Sequence, residues 1–464
     1  MDNVKVFRTG VEGLDTLVGE LYPPYTVLVA GHPGSGKTTL AASICYFNTV
    51  KGNKCLYVTV YEEKEKFYRF MEKLGLRFRD VEEKGLFKFI RFPLALDVDK
   101  ALEVISKTVS EESFDIVVVD SVTALIDVLK LDVEKRALLL NYFYQLPTIT
   151  NGLLILIAEL PHSREALDLG SAEFIADAVI ILKNVIEEGF AIRLMEIRKV
   201  RGKPIHIAEV PFTMAENKGV KIYVPPILEE IPKQKEEIYL PCRYLNEKIG
   251  HVHKDFVVNI FFPPETVYGK EALLLLLSMA IKYNLKILVI SYISSPATLR
   301  ETLTLFLHDY GIEENLAAKI LDNYVVLKGI NPYAQSLTEL ASKELELIDQ
   351  YNPDIVVFHG VHVIKHDYVK YFRELYNQIL YLKYRGIGIV RIGNCVNEER
   401  CADEASISDL TFKIERIVKE SGYDFIVKIF RRFRDPQIVS SREIRLCLEE
   451  AINDIKNRLE KIRI

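Results

Sequence analysis

Short apolar runs alternate with segments of helical period over roughly the first 220 residues of the chain. The apolar runs predict strands at residues 26–30, 55–60, 114–119, 153–158 and 178–182. Helices are predicted to begin at Lys37, Lys64 and Val98, where apolar positions recur every three to four residues. Runs that are apolar throughout are typical of strands buried on both faces. The pattern therefore predicts an α/β fold, in which helices cover both sides of a mostly parallel sheet.

A break in this pattern divides the chain. Residues 225–237 combine prolines with charged residues and carry no apolar period, which is typical of a linker. We therefore predict one domain over residues 1–230 and a second over residues 231–464. The order of elements then returns, since a Gly-Lys dipeptide opens a helix at residues 36–37 and again at 269–270, 233 residues later.

Two weaker matches support a duplication. The segment FDIVVVDS, which begins at Phe114, is echoed 239 residues later by PDIVVFHG. The basic pair Lys199 and Arg201 is matched, at a separation of 233, by Arg432 and Arg434. The sequence therefore predicts two tandem domains of the same α/β architecture.

Residues 440–464 predict an amphipathic helix at the end of the chain. Ser440 and Glu443 fit a capping box. Apolar residues follow at helical spacing: Ile444, Leu448, Ile452, Ile455, Leu459 and Ile462. A helix docked on its own domain and a partner-binding or coiled-coil tail both fit this pattern, and the short length favours the docked helix.

Composition narrows the class of protein. Of the 464 residues, 49% are hydrophobic and 27% are charged, which excludes a disordered, fibrous or small stapled chain. The formal net charge of −5 argues against a strongly basic nucleic-acid or membrane-surface protein, although a local basic patch is compatible with it.

The cysteines and apolar runs predict the compartment. Six cysteines are scattered without a CxxC pair, which predicts reduced thiols in a cytosol. No apolar run reaches the roughly 18 residues that a membrane span requires, and the first residues contain no apolar stretch of signal-peptide length. We therefore expect a cytoplasmic protein with no membrane span.

Residues 31–38 fit the phosphate-loop pattern GxxxxGK[ST] at every fixed position. A predicted strand leads in and a predicted helix leads out, as phosphate binding requires; an ordinary strand-to-helix turn is the alternative. Glycines let backbone N–H groups approach phosphates, Lys37 would reach the β- and γ-phosphates, and the Thr38 hydroxyl would bind Mg²⁺. The expected nucleotide contacts are Gly31, Pro33, Gly34, Ser35, Gly36, Lys37, Thr38 and Thr39.

Carboxylates follow two other predicted strands. Asp120 ends the strand at residues 114–119, and beside a phosphate loop it is expected to hold the water shell of Mg²⁺, with helix capping as the alternative. Glu62 and Glu63 follow the strand at residues 55–60. One of them would orient or deprotonate the attacking water, and a solvated turn is the alternative.

Taken in order, these motifs resemble the KaiC-like branch of the RecA superfamily. The resemblance covers most of residues 1–224 and is carried by TGVEGLD, the phosphate loop, VTVYEE, Asp120-Ser121, EFIADAVIIL and MEIRKVRG. It implies RecA-like folds, in tandem because KaiC-like proteins often carry two such domains. It also implies ATP and Mg²⁺ as cofactors and a ring of subunits, commonly a hexamer, with ATP bound between neighbours.

The resemblance implies residue roles as well. By family position, Glu62 or Glu63 would be the catalytic carboxylate. Lys199 and Arg201 would extend to the γ-phosphate held by a neighbouring subunit, where they would neutralise developing charge; taken alone, such a pair on a strand is most often a solvated face. Glu159 would sense the γ-phosphate, with His162 or Ser163 as alternatives.

The second half lacks the residues for this chemistry. Val267 and Tyr268 place Cβ atoms where backbone must meet phosphate, and Glu271 replaces the magnesium hydroxyl with a carboxylate. His359 stands where Asp120 stands in the first half. We therefore expect a degenerate domain that binds no nucleotide in the usual way and serves assembly or regulation.

Two clusters of the second half have alternative interpretations. The spacing His359-x₂-His362-x₃-His366 would converge on a metal if helical, but no cysteine or carboxylate completes a set, so neutral histidines are expected. The arginines of RRFR at residues 431–434 would face solvent or contact a neighbouring domain or an anionic ligand.

The interpretation we favour is a KaiC-like ATPase that hydrolyses ATP slowly as a ring and acts as a conformational switch for an unidentified protein partner. Self-phosphorylation is a further activity that the same resemblance implies. The first alternative is a recombinase paralogue that binds single-stranded DNA through residues 161–173, against which the lack of a strongly basic face argues. The second alternative is an ATP-bound scaffold with little turnover.

Overall fold

A computed structural model describes residues 5–92, 98–128, 133–160, 172–187, 189–215, 219–264, 270–419 and 422–462. The chain divides into two compact units, Met1–Val224 and Pro225–Ile464. The division falls at the start of the proline-rich segment, where no apolar period supports a helix or strand.

The first unit is a sheet with helices on both faces. Its strands are β1 (Tyr25–Gly31), β2 (Cys55–Thr59), β3 (Phe87–Arg91), β4 (Ile116–Asp120), β5 (Leu153–Glu159), β6 (Ala178–Glu187), β7 (Phe190–Val200), β8 (Glu209–Ala215) and β9 (Gly219–Ile222). Its helices are α1 (Leu14–Val18), α2 (Lys37–Val50), α3 (Lys64–Lys73), α4 (Phe78–Glu83), α5 (Val98–Glu112), α6 (Val122–Val128), α7 (Val133–Thr150) and α8 (Ala172–Ile175).

The strand order of this sheet is β3-β2-β4-β5-β1-β6-β7-β8-β9. The strands from β3 to β6 in that order run parallel, and β7, β8 and β9 are antiparallel additions. Every residue of β1 and β2 is buried, which explains why these strands are apolar without alternation. The carboxyl ends of β1, β2 and β4 meet at one edge, where parallel sheets of this type bind ligands.

The second unit repeats this arrangement. It opens with β10 (Glu237–Ile238), α9 (Arg243–Ile249) and β11 (Val252–His253). Its sheet contains β12 (Val257–Phe262), β13 (Ile287–Ser291), β14 (Val325–Gly329), β15 (Ile355–His359), β16 (Gly388–Asn394), β17 (Leu410–Lys419), β18 (Gly422–Arg431) and β19 (Gln437–Ser440). Its remaining helices are α10 (Lys270–Tyr283), α11 (Pro296–Asp309), α12 (Glu314–Tyr324), α13 (Leu337–Tyr351), α14 (Tyr368–Tyr384), α15 (Glu398–Ser406) and α16 (Ser441–Ile462).

The second sheet follows the strand order of the first. Its order, β14-β13-β15-β16-β12-β17-β18-β19, matches the first eight positions of the other sheet. In each unit, an aspartate side chain bonds to the backbone at the start of the central strand. Asp177 accepts a 2.9 Å hydrogen bond from the N–H of Thr26, and Asp409 accepts one of the same length from the N–H of Val257. The prediction of two tandem RecA-like α/β folds is confirmed.

The register of the last strands corrects one sequence match. The backbone N–H of Arg201 donates to the carbonyl of Asp177, and that of Arg432 donates to the carbonyl of Asp409. These two arginines therefore correspond. By strand pairing, Lys199 corresponds to Phe430. The match of the basic pair to Arg432 and Arg434 is therefore wrong. A β-bulge in β7 changes the residue count along this strand, and residue type alone cannot reveal it.

The final helix, α16, is docked on its own unit. Ser440 and Glu443 form the predicted capping box, with hydrogen bonds of 2.7 Å from Ser440 N–H to the Glu443 carboxylate and 3.3 Å from Glu443 N–H to Ser440 Oγ. The bonds donated by Ser440 lower the pKa of the Glu443 carboxyl. Leu448, Ile452 and Ile455 are buried in one apolar cluster with residues of α10, so the docked-helix interpretation is confirmed.

The cysteines differ from expectation. They lie in three disulfide pairs, Cys45–Cys55, Cys242–Cys447 and Cys395–Cys401. The prediction of reduced thiols is wrong, because the fold packs α9 on α16 and so brings together cysteines 205 positions apart. Among the described residues, no helix combines the length and the apolar character that a membrane crossing needs.

Candidate nucleotide site

The phosphate loop joins the end of β1 to the start of α2. Gly34 and Gly36 have φ angles of 75° and 102°, which L side chains rarely adopt. A Cβ on Gly31 would lie 2.3 Å from the carbonyl oxygen of Leu182. The glycines of the motif are therefore required by the backbone itself, which turns sharply and leaves the N-terminus of α2 at the carboxyl edge of the sheet.

Lys37 lies inside this loop with only 6% of its side chain exposed. Its ammonium donates to the carbonyl of His32 and pairs with the Glu159 carboxylate, at 2.9 Å each. Gly31 and Glu159 are register partners in β1 and β5, which explains why the carboxylate reaches the loop. The buried Ser35 hydroxyl has no hydrogen-bond partner among the described residues. A buried cation beside an unused hydroxyl and a helix N-terminus fits an anionic ligand.

Thr38 and Asp120 come together as the sequence predicts. The Thr38 hydroxyl donates to Asp120 Oδ2 at 2.8 Å, and the Tyr57 hydroxyl donates to the same oxygen at 2.7 Å. Burial raises the pKa of the Asp120 carboxyl, although both hydrogen bonds favour its charged form. Hydroxyl and carboxylate oxygens are ligands that Mg²⁺ prefers, and a bound cation would offset the cost of burying the carboxylate. These residues fit a magnesium ion.

Glu62 and Glu63 point to different surroundings. Glu63 precedes α3, has a 63% exposed side chain and forms an ion pair with Arg91. Glu62 is half as exposed, at 33%, and its charge helps burial and the nearby Asp120 to raise the pKa of the Tyr57 phenol. Tyr57 bonds directly to Asp120, so the charge of Glu62 acts on a direct neighbour of the magnesium-binding residues. Glu62 also lies 3.8 Å from the Lys66 ammonium.

Lys199 and Arg201 lie away from the phosphate loop of their own chain. They lie on either side of Val200, the last residue of β7. Val200 pairs with Ala178 of β6, and Ala178 pairs with Val27 near the start of β1. The loop begins four residues further along β1, about 13 Å away at 3.3 Å per residue. Arg201 is 70% exposed and bonds to Asp177 at 2.7 Å, while Lys199 donates to the carbonyl of Glu173 at 3.1 Å. The structure does not bring this pair to its own nucleotide site.

The corresponding edge of the second unit has different chemistry. Ser291 and His359 occupy the register positions of Thr59 and Asp120, and their Oγ and Nδ1 atoms are 3.0 Å apart. Burial lowers the pKa of His359 to about 4, so the imidazole is neutral at neutral pH. A neutral imidazole bonded to a hydroxyl does not replace a carboxylate beside Mg²⁺.

The rest of that edge is described only in part. Val267 and Tyr268 lie outside the described residues, as do His162 and Ser163 of the first unit. Asn394 occupies the register position of Glu159. Within the described ranges, no three histidine, cysteine, aspartate or glutamate side chains are grouped closely enough to hold a metal ion.

Sequence reasoning missed Tyr57. It lies in the middle of β2, is fully buried and stacks on Phe89 with ring centres 5.7 Å apart. In the sequence it belongs to an apolar run and is indistinguishable from a core residue. The available signal is that a buried Tyr hydroxyl needs a partner, but only the pairing of β2 with β4 identifies that partner as Asp120.

Known proteins match the same region. Residues 7–226 match the family model described as "ATPase: KaiC". The circadian clock protein KaiC3 of Synechocystis is 25% identical over 248 residues, which cover 51% of this chain and 49% of that protein. The circadian clock oscillator protein KaiC of Picosynechococcus is 28% identical over 245 residues, which cover 47% and 45%. A UPF0273 protein of Thermotoga maritima is 25% identical over 240 residues, which cover 47% and 96%. The matched region thus spans about half the length of the two clock proteins.

Proposed function

We propose that this chain, whose residues 7–226 belong to the KaiC-like ATPases of the RecA superfamily, binds ATP with Mg²⁺ in its first unit and hydrolyses it slowly. The observation that carries the proposal is the phosphate loop, where the buried Lys37 ammonium and the Ser35 hydroxyl lie at the N-terminus of α2. The Lys37–Glu159 ion pair supplies the counter-charge that the phosphates would replace.

Thr38 and Asp120 would hold the magnesium ion, the hydroxyl directly and the carboxylate through water. The ion would neutralise charge on the β- and γ-phosphate oxygens. Tyr57 fixes the orientation of Asp120 by its 2.7 Å hydrogen bond. Glu159 would sense the γ-phosphate through its contact with Lys37.

We assign the catalytic carboxylate to Glu62 rather than Glu63. In this assignment Glu62 orients a water molecule and accepts its proton as the water attacks the γ-phosphorus, and ADP leaves. Glu63 occupies the N-cap position of α3 and pairs with Arg91, whereas the contact of Glu62 with Lys66 is longer, at 3.8 Å.

Glu62→Gln is expected to lower kcat for ATP hydrolysis by about 100-fold, because general-base catalysis contributes about 10²–10⁴-fold. Glu63→Gln is the matched control, since it makes the same change at the adjacent residue, and kcat should stay within about twofold. Steady-state release of phosphate with and without Mg²⁺ measures both. Equal losses in the two variants would contradict the assignment, and absence of magnesium-dependent turnover in the unmodified chain would contradict ATP hydrolysis itself.

Lys199 and Arg201 would act on ATP held by a neighbouring copy, in a ring that we propose to be a hexamer. Their distance from their own phosphate loop supports this, because a group at the other edge of the sheet cannot reach phosphates bound at the first edge. In the neighbour's site they would stabilise the charge that develops on the transferred phosphoryl group.

We propose that the second unit binds no nucleotide and serves assembly or regulation. ATP turnover in the first unit would then set the rate of a conformational change that a protein partner recognises. The neutral His359 at the magnesium position supports this role. Self-phosphorylation stays a prediction, since the acceptor hydroxyl is unidentified. The cytoplasmic location also stays a prediction. The expectation of reduced thiols was one argument for it, and the cysteines are paired instead.

The two alternatives are separable by experiment. Most of the segment proposed to bind single-stranded DNA, residues 161–171, lies outside the described residues. Binding of single strands that weakens steeply with salt would favour the recombinase. Tightly held ATP without measurable turnover would favour the scaffold.

A further inference from the structure

The second unit contains a cavity of about 460 Å³ whose wall is mostly apolar. Strands β12, β17 and β18 contribute residues such as Val258, Phe412 and Val427, and helices α10 and α16 contribute Leu276 and Leu448. Apolar pockets of about 300–1,000 Å³ with a few polar groups are typical of small-molecule sites. The cavity therefore has the size and lining of a binding site.

The two units differ in the segment that follows β8 in the first unit and β19 in the second. Val210 of β8 and Val439 of β19 are equivalent residues, because each lies in the eighth strand of its sheet and pairs with the strand before it. In the first unit the chain continues through Phe212 and returns as β9, and this hairpin packs against α2. In the second unit the chain leaves the sheet after Ser440 and enters α16. The hairpin is thus replaced by α16, which packs on α10 and forms part of the cavity wall.

Charged residues complete the wall. Arg416 and Arg445 are exposed, and the Arg416 guanidinium lies 4.4 Å from the ring centre of Tyr423. The two carboxylates of the wall, Glu271 and Asp424, are half-buried, and Asp424 interacts with another group of the protein. Arg416 and Arg445 are therefore the most exposed charges of the wall.

We propose that this cavity binds a long-chain fatty acid, with the hydrocarbon chain among the apolar residues and the carboxylate at Arg416 and Arg445. The volume of about 460 Å³ lies within the range of small-molecule sites, which favours a single folded hydrocarbon chain over a partner helix. An occupant restores the dispersion contacts that an empty cavity lacks, and guanidinium groups suit a carboxylate. The proposal is independent of the nucleotide site in the first unit.

The test uses the full-length protein and palmitate, detected by displacement of the fluorescent probe 1-anilinonaphthalene-8-sulfonate. Ala272→Phe adds a ring to a wall residue of α10 and is expected to weaken palmitate binding by about tenfold or more. Ala297→Phe is the matched control, because Ala297 is exposed on α11 and does not line the cavity; it should leave binding unchanged.

Arg445→Gln tests the head group without disturbing the core. It is expected to weaken palmitate by about tenfold and to leave hexadecanol, which has the same chain and no charge, within about twofold. The proposal is overturned if palmitate binds Ala272→Phe as tightly as the unmodified protein, or if Arg445→Gln affects palmitate and hexadecanol equally. A change in oligomer mass on Ala272→Phe without palmitate binding to the unmodified protein would also overturn it, and would assign the cavity to a second copy of the chain.

Discussion

Lys37→Ala is expected to abolish ATP binding, with affinity reduced by about 100-fold or more. The substitution removes the buried ammonium that would neutralise the β- and γ-phosphates, and it leaves Glu159 unpaired beside the loop. Equilibrium dialysis of radiolabelled ATP in the presence of Mg²⁺ measures the change. Thermal unfolding of the variant without nucleotide shows whether the fold is retained.

The matched control for this variant is Lys270→Ala, at the corresponding Gly-Lys dipeptide of the second unit. It should leave ATP affinity unchanged, because the second unit presents His359 at the position of Asp120. Comparable losses in both variants would show that both units bind nucleotide and would overturn the assignment of a degenerate second unit.

Arg201→Ala is expected to lower kcat by about 1,000-fold while ATP affinity changes little. A trans-acting arginine stabilises charge in the transition state and contributes about 10³–10⁵-fold in related phosphoryl transfers. In its own chain, Arg201 bonds to Asp177 at the far edge of the sheet. Steady-state kinetics and a separate binding measurement divide the effect between turnover and affinity. Arg201→Lys, which keeps a cation beside Asp177, shows whether loss of charge or loss of local structure is responsible.

Mixing two inactive variants tests the trans arrangement further. Lys37→Ala chains lack a nucleotide site but carry Arg201, and Arg201→Ala chains carry the site but lack the arginine. Co-expressed in one ring, they should regain a measurable part of the ATPase activity, because some sites would be completed by a neighbour. No recovery in rings shown to contain both chains would contradict trans catalysis.

The phosphate loop and Asp120 could be predicted because their chemistry is local. A loop that wraps phosphate needs glycines at fixed spacing, and the φ values of Gly34 and Gly36 show that requirement directly. Asp120 ends an apolar strand, and any strand that ends beside the loop delivers its next polar residue to the same edge. Each residue can therefore be assigned from its immediate sequence neighbours, although the Thr38–Asp120 contact joins residues 82 positions apart.

Other features depend on partners far apart in the sequence. The difference between Glu62 and Glu63 is set by Arg91, at the end of the neighbouring strand. The pairing of Cys242 with Cys447 requires α9 to pack on α16. Spacing alone misassigned the counterpart of Arg201, because single-residue shifts such as the bulge in β7 change the separation between corresponding positions along the chain. Each of these is fixed by tertiary packing, which no local pattern records.

The number of nucleotides bound per chain tests the central claim most directly. The unmodified protein, saturated with ATP and Mg²⁺ and freed of unbound nucleotide, should retain one nucleotide per chain as counted by chromatography of the denatured sample. A count of two would mean that the second unit binds nucleotide as well, and a count of zero would mean that the phosphate loop of the first unit does not bind it.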